Sequence, residues 1–304
     1  MISRALLGWY FPELPQRRLE LLRIGVGGYA LVYLVTRGLH LNAVVGYPAS
    51  SFAPVGVVRW LDAPLAAGWV YGTYAAALLA GVAFVFGIGY RLSAPLFALL
   101  TTWVLSYRHS WGMIFHTDNL LVLHLLLLCF APAGRRRAAP EALESHPCWV
   151  PRAMALVTVA SYVVAGAAKL HHTGWSWAAG DALREQIAYD AIRKIELGST
   201  HSPLGPWLLP HQWLFAPLSA FSLATELLAP LALLGTRTAA VWCACAWLFH
   251  AGVLALMAIA FPYPLSGVAF LAFFPLERAL PGLRRAWLRV RPGGLARGGA
   301  TSTG

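Results

Sequence analysis

Long apolar segments separated by short polar connections make up most of the chain. A run of about 20 apolar residues is long enough to cross the hydrocarbon core of a bilayer as an α-helix. The pattern predicts an all-α, polytopic membrane bundle of about eight transmembrane helices, although six or ten spans fit as well. The expected spans are Leu19–Leu39, Pro64–Ile88, Leu92–Tyr107, Asn119–Pro132, Val150–Lys169, Gln212–Leu234, Thr238–Ala260 and Pro264–Pro275.

The connection after the fifth predicted span has a different pattern. In GDALREQIAYDAIRKIEL, apolar residues recur at helical spacing from Leu183 through Ile187 and Ala191 to Ile195, with charges between them. This predicts an amphipathic helix that begins with Asp181 as its cap. It would lie at the outer membrane surface or over the bundle. A lid that only shields helix ends is the alternative.

Composition excludes a soluble domain. Only 12% of the 304 residues are charged and 59% are hydrophobic, whereas a soluble domain has about 25% charged residues. The net charge of +11 could indicate a nucleic-acid partner. The arginines instead cluster between and after the apolar segments, so we expect the lipid bilayer and no nucleic acid as partner.

The distribution of arginine predicts the orientation. By the positive-inside rule, both termini are cytoplasmic in a multi-pass protein of the inner (cytoplasmic) cell membrane. We expect one membrane domain over residues 1–276, followed by a basic cytoplasmic tail over residues 277–304. The end of that tail is rich in glycine and is expected to be partly disordered.

Lysine is rare in this chain. Of the 23 lysine and arginine residues, only Lys169 and Lys194 are lysine. An amine can lose its proton, whereas a guanidinium does not do so in proteins. Lys169 ends an apolar helix and is therefore a candidate base sheltered from water. The alternative is a lysine whose amine reaches the lipid headgroups.

Other ionisable residues lie in or beside the spans. His116 and Asn119 lie on one helical face at the predicted outer side. Asp118 would orient the imidazole of His116 there, and an interfacial cluster is the alternative. Glu226 and His250 lie in mid-helix and should find partners inside the bundle. They would pair with each other, His250 would serve a ligand, or a polar pair would fix helix packing. Histidine spacings match no standard motif, so no metal is expected.

Four stretches of the chain carry a family resemblance. They are RRLELLRIGVGG, AGAAKLHHTGWSWAAGDAL, LLAPLALL after Glu226, and FHAGVLALMAIAFPYPLSGVAFLAFFP. The second is similar to an A-G-x-x-K-L motif followed by W-x-x-G, with Lys169, Trp177 and Gly180 in the matching places. Together, over most of residues 17–276, they resemble the horizontally transferred transmembrane (HTTM) family, which includes vitamin K-dependent gamma-carboxylase.

The resemblance implies a chemistry. The family carboxylase uses the lysine of this motif to deprotonate vitamin K hydroquinone, and the coupled reaction adds carbon dioxide to glutamate. The implied cofactor is therefore vitamin K hydroquinone or another quinol that enters from the bilayer. The implied catalytic residues are Lys169, His116 and His250, and the implied cofactor-binding residues are Asn119, Trp177 and Glu226. The residue pattern around His116 and Asn119 departs from the family.

The family carboxylase continues into a large lumenal, β-rich region that binds its protein substrates. Here we expect no such region, since the sequence ends soon after the last predicted helix. The substrate of a quinol-dependent oxygenase or carboxylase would then be a small molecule or a peptide. The competing hypothesis is a non-enzymatic membrane protein: a maturation factor, an immunity partner or a transporter. No inverted repeat that would favour a transporter is evident.

Overall fold

The computed structural model describes residues 4–112, 114–133 and 145–278, which are almost entirely helical. Two short strands, β1 (Glu13–Pro15) and β2 (Ser145–Pro147), pair antiparallel near one end of the bundle. The α-helices are α1 (Arg4–Tyr10), α2 (Gln16–Val45), α3 (Ala67–Phe86), α4 (Tyr90–His109), α5 (His116–Leu128), α6 (Val150–Thr173), α7 (Trp175–Ala179), α8 (Asp181–Glu196), α9 (Leu204–Leu208), α10 (Phe215–Leu227), α11 (Thr236–Met257) and α12 (Pro262–Leu265). Most of the predicted tail, residues 279–304, lies outside the described residues.

Four of these helices are long and apolar enough to cross a membrane: α2, α3, α6 and α11. The all-α membrane architecture and the multi-pass topology predicted from the pattern are therefore confirmed. The count of eight spans is not established. In place of a single eighth helix, α12 is followed by a 3-10 segment, Val268–Phe273. Between the two lies Gly267, whose φ of +76° places it in the left-handed region and ends the α-helical turns.

The sixth predicted span is also divided. Its helix α10 gives way to a 3-10 segment, Ala229–Leu233, which contains Pro230. Proline at that position donates no hydrogen bond to the preceding turn and disfavours helical backbone at the residue before it. The interruption comes directly after Glu226, so this carboxylate lies near the end of a regular helix.

The helices pack around a common apolar core. Its fully buried side chains include Phe84, Phe97 and Tyr263. Other large apolar side chains on the same helices, such as Leu79 and Val164, are exposed. That distribution is expected where lipid surrounds the bundle, because burial of an apolar side chain against another helix is then no better than contact with acyl chains.

The long connection between α6 and α10 folds over the bundle. Ile187 of α8 and Leu208 of α9 form a buried cluster with Phe215, against which Leu256 of α11 packs. The predicted amphipathic helix is thus present as α8. Its cap was predicted wrongly: Gly180 precedes the first helical residue, and no side chain caps the helix.

At the end of the bundle where α6 begins, the carboxylate of Glu277 holds the start of α2. Arg18 donates two hydrogen bonds to Glu277, of 2.8 and 2.6 Å. Both side chains are about four-fifths buried. These hydrogen bonds lower the pKa of the Glu277 carboxyl, because they stabilise its ionised form. The pair therefore joins the first long helix to the last described residues.

Glu277→Gln should lower the thermal midpoint at pH 7 by about 2–3 °C, since a partly buried bidentate pair contributes on the order of 1 kcal/mol. The lowered pKa of Glu277 determines how the stabilisation by this pair depends on pH. The contribution is present above the ordinary value of 4.5 and is lost as the pH falls through the lower folded-state value. Thermal melts of the wild type and Glu277→Gln in detergent, at several pH values, measure the difference in midpoint.

The control for that comparison is Glu20→Gln. Glu20 meets Arg17 at 3.4 Å in a pair whose arginine is half exposed, so little change is expected. Equal midpoints for Glu277→Gln and wild type at neutral pH would contradict a stabilising role for the pair of Arg18 and Glu277.

Candidate functional site

A glycine brings α6 and α10 together in the second half of α6. A Cβ atom at Gly166 would lie 3.0 Å from the Cβ of Glu226 and 2.9 Å from a methyl carbon of Leu227. Only a residue without a side chain allows this separation. Lys169 lies three residues further on the same helical face. The close approach therefore places its amine beside α10.

The amine of Lys169 is held on several sides. Its Nζ donates to Glu226 Oε1 at 2.6 Å and to Ser222 Oγ at 2.9 Å. It also lies over the rings of Trp177, at 4.6 Å, and Phe249, at 5.1 Å. These five residues are called the Lys169 cluster below. The lysine side chain is 19% exposed and that of Glu226 only 4%, so a charged pair is held largely out of solvent.

Polar atoms of the Lys169 cluster, and of two residues beside it on α10 and α11, lack hydrogen-bond partners among the described residues. Glu226 Oε2, Trp177 Nε1, Ser219 Oγ and His250 Nδ1 are buried and form no hydrogen bond within the part of the chain that the structure describes. Buried polar atoms are rarely left unsatisfied. This set includes an acceptor, a donor and two atoms that can act as either. A ligand that both donates and accepts hydrogen bonds would satisfy it.

His250 borders the cluster and is fixed by a different partner from the one expected. Its Nε2 lies 2.8 Å from the hydroxyl of Tyr162, two turns before Lys169 on α6. The ring of Phe261 lies 4.9 Å away. Of the alternatives that the sequence left open, the pairing of Glu226 with His250 does not occur: Glu226 pairs with Lys169, while Nδ1 of His250 has no partner among the described residues.

A second polar cluster joins α2, α4 and α5. Asp118 accepts hydrogen bonds from Tyr33, at 2.6 Å, and from Arg108, at 3.0 Å, and lies 2.9 Å from His109 Nε2. All four side chains are buried. The imidazole that Asp118 orients is thus that of His109, where the sequence had suggested His116. With both carboxylate oxygens engaged by partners from α2 and α4, this cluster is suited to holding three helices together.

Comparison with known proteins identifies the family. A family model described as the HTTM domain matches residues 12–277, which is most of the chain. The protein belongs to the HTTM family. No curated protein and no solved structure matches the chain significantly.

The residues predicted from the sequence of this HTTM protein fall in different places. Lys169, Trp177 and Glu226 come together in the Lys169 cluster, and His250 lies beside it. Asn119 is exposed on α5 and forms no hydrogen bond with these residues. His116 begins α5, but its side chain lies outside the described residues.

The sequence prediction missed Ser219, Ser222 and Tyr162. A signal for the serines was present, because Ser219, Ser222 and Glu226 recur at spacings of three and four and so lie on one face of α10. Nothing in the sequence connects Tyr162 to His250. Within the described ranges, no group of three or more His, Cys, Asp or Glu side chains is arranged to hold a metal ion.

The glycine of the W-x-x-G motif holds Trp177 in place. Gly180 has φ +97°, and a Cβ atom there would lie 2.5 Å from the backbone nitrogen of Ala216 and 2.5 Å from the carbonyl carbon of Phe215. The turn between α7 and α8 therefore rests directly on the start of α10. This contact keeps α7, and with it the Trp177 ring, against Lys169.

Gly180→Ala should displace α7 from α10 and destabilise the fold by roughly 3 kcal/mol or more, because backbone atoms cannot yield as a side chain can. The matched control is Gly198→Ala, with φ +62° and no atom within 4 Å of the added carbon. It should cost only about 1 kcal/mol from backbone strain. Thermal melts of the two variants compare these losses of stability. Equal losses would show that the contact of Gly180 with α10 is unimportant.

Proposed function

We propose that this HTTM protein binds the head group of a quinol in the Lys169 cluster and that Lys169 removes a proton from it. The observation that carries the proposal is the amine of Lys169 in a hydrogen bond to Glu226, surrounded by buried polar atoms that need a partner. A lysine that only anchors a helix to lipid headgroups would not be enclosed by a carboxylate, a serine and two aromatic rings.

The carboxylate is what allows this lysine to act as a base. An amine that already carries its proton cannot accept another. Through the 2.6 Å hydrogen bond, Lys169 can pass its proton to Glu226 and then accept one from a ligand hydroxyl. The proton acceptor is therefore the pair of residues together. An arginine at this position would pair with Glu226 equally well but would not release its proton.

The residues present fit a quinol. A quinol, when bound, would supply two electrons and its two phenolic protons on oxidation to the quinone. Trp177 and Phe249 offer aromatic surfaces for its ring beside the amine. Glu226 Oε2 can accept a hydrogen bond from one hydroxyl, while Trp177 Nε1 can donate one to an oxygen. About a fifth of the Lys169 side chain is exposed, so the protein does not seal this site completely.

The family resemblance extends the proposal to the reaction. A lysine in this motif that activates a quinol would make the protein a quinol-dependent oxygenase or carboxylase, acting on a small molecule or a peptide. On the predicted orientation, the cluster lies toward the outer side of the membrane. His250, held by Tyr162, would contact the same ligand through Nδ1.

Lys169→Arg should abolish quinol oxidation by the purified protein in lipid vesicles, with a loss of roughly 100-fold or more, as expected when a general base is removed. The measurement is oxygen uptake with vitamin K hydroquinone as the reductant. Lys194→Arg is the matched control, since it makes the same change at the other lysine. Lys194 pairs with Asp190 at 2.9 Å in α8, outside the cluster, so its variant should keep wild-type activity.

Two results would refute the proposal. One is full activity in Lys169→Arg with an unchanged thermal midpoint. The other is a wild-type protein that neither oxidises quinols nor retains a quinone through purification, as judged by mass spectrometry of the bound lipids. The second result would favour a non-enzymatic membrane protein built on the same bundle.

A further inference from the structure

A pocket lies at the end of the bundle opposite the Lys169 cluster. It is lined by Arg152, which precedes Lys169 by seventeen residues on α6, or roughly 25 Å along the helix axis. Its volume is about 260 Å³. The start of α2, the start of α6, the turn before α11 and the last described residues form its walls. It is therefore separate from the site proposed for the quinol.

Three arginines line this pocket: Arg18, Arg152 and Arg278. Glu277 neutralises Arg18 through two hydrogen bonds. Arg152 and Arg278 have no carboxylate partner in residues 4–112, 114–133 and 145–278. The pocket thus has two guanidinium groups that form no direct ion pair with a described residue, while Glu277 acts on Arg278 only from a distance.

The surroundings hold one of these guanidinium groups in position. Arg152 lies 5.0 Å from the centre of the Trp9 ring, and this contact restricts its side chain. The pocket wall also includes Gly235 and Thr236, at the start of the 22-residue helix α11. No side chain caps that helix start, so its first amide groups add to the positive potential.

The location indicates a membrane ligand. Trp9 lies between Leu7 and Phe11, whose side chains are exposed beside it in sequence. Exposed apolar and indole groups next to arginines are typical of the depth at which lipid headgroups meet acyl chains. An anion that reaches this pocket would therefore most readily be the phosphate of a lipid.

We propose that this pocket binds the phosphate group of an anionic phospholipid between Arg152 and Arg278. Guanidinium groups match phosphate oxygens through paired, charge-assisted hydrogen bonds. Arg18 is engaged by Glu277 and supports the wall. A bound headgroup would join the starts of α2, α6 and α11 to the last described residues. The same chemistry would suit free phosphate, and the experiment below separates these two sources.

The test is native mass spectrometry of the full-length protein in detergent, titrated with phosphatidylglycerol and, separately, with phosphatidylcholine. The wild type should prefer phosphatidylglycerol. The double variant Arg152→Gln/Arg278→Gln should bind it at least about tenfold more weakly, since each lost charge-assisted hydrogen bond is worth on the order of a tenfold step. Arg91→Gln is the control for the loss of one arginine charge, at the start of α4 and outside the pocket.

The single variant Arg278→Gln distinguishes a loss of lipid binding from a folding defect. Arg278 is exposed, so this variant should keep the wild-type thermal midpoint while losing several-fold in affinity for phosphatidylglycerol. Competition by inorganic phosphate, lost in the double variant, would assign the site to the free anion. Equal binding of phosphatidylglycerol by wild type and both variants, or equal binding of the two lipids by wild type, would overturn the proposal.

Discussion

The buried hydrogen-bonded pair of Lys169 and Glu226 is the interaction on which the rest of the site depends. Two ionisable groups inside an apolar bundle are tolerated only when each satisfies the other, because transfer of an unpaired charge out of water is strongly unfavourable. The pair joins α6 to α10 at 2.6 Å. Gly166 makes this distance attainable by removing the one side chain that would separate the helices.

The rest of the architecture supports that pair. The lid of α7, α8 and α9 seats on α10 through Gly180 and brings Trp177 over the amine, while α11 contributes Phe249 and His250. Each element adds an aromatic face or a polar atom to the same small region. In the Asp118 cluster both carboxylate oxygens have partners and only donor atoms such as Arg108 Nε are left over, which suits a packing role. The Lys169 cluster instead leaves a carboxylate oxygen as well as an indole N–H for a ligand to satisfy.

Much of this was predictable from the sequence, and the failures have physical causes. Apolar runs indicated a membrane bundle, and the rarity of lysine directed attention to Lys169. Helical spacing identifies which residues share a face but not which helix that face meets. The partner of Glu226 therefore stayed open, with His250 as one alternative, and Ser222 was missed. Pro230 in the sixth predicted span and the left-handed Gly267 in the eighth each mark a change from α-helical to 3-10 backbone, which hydrophobicity alone does not detect.

The most direct test is a double-mutant cycle on the stability of the protein in mixed micelles, with Lys169→Met, Glu226→Met and the double variant. Each single change leaves one buried ionisable group without its partner, so each should destabilise by a few kcal/mol, and roughly 3–5 is usual for breaking a buried pair. The double variant should lose clearly less stability than the sum of the two single losses, which corresponds to a coupling free energy of about 2 kcal/mol or more. Strictly additive losses would show that Lys169 and Glu226 do not act as a unit.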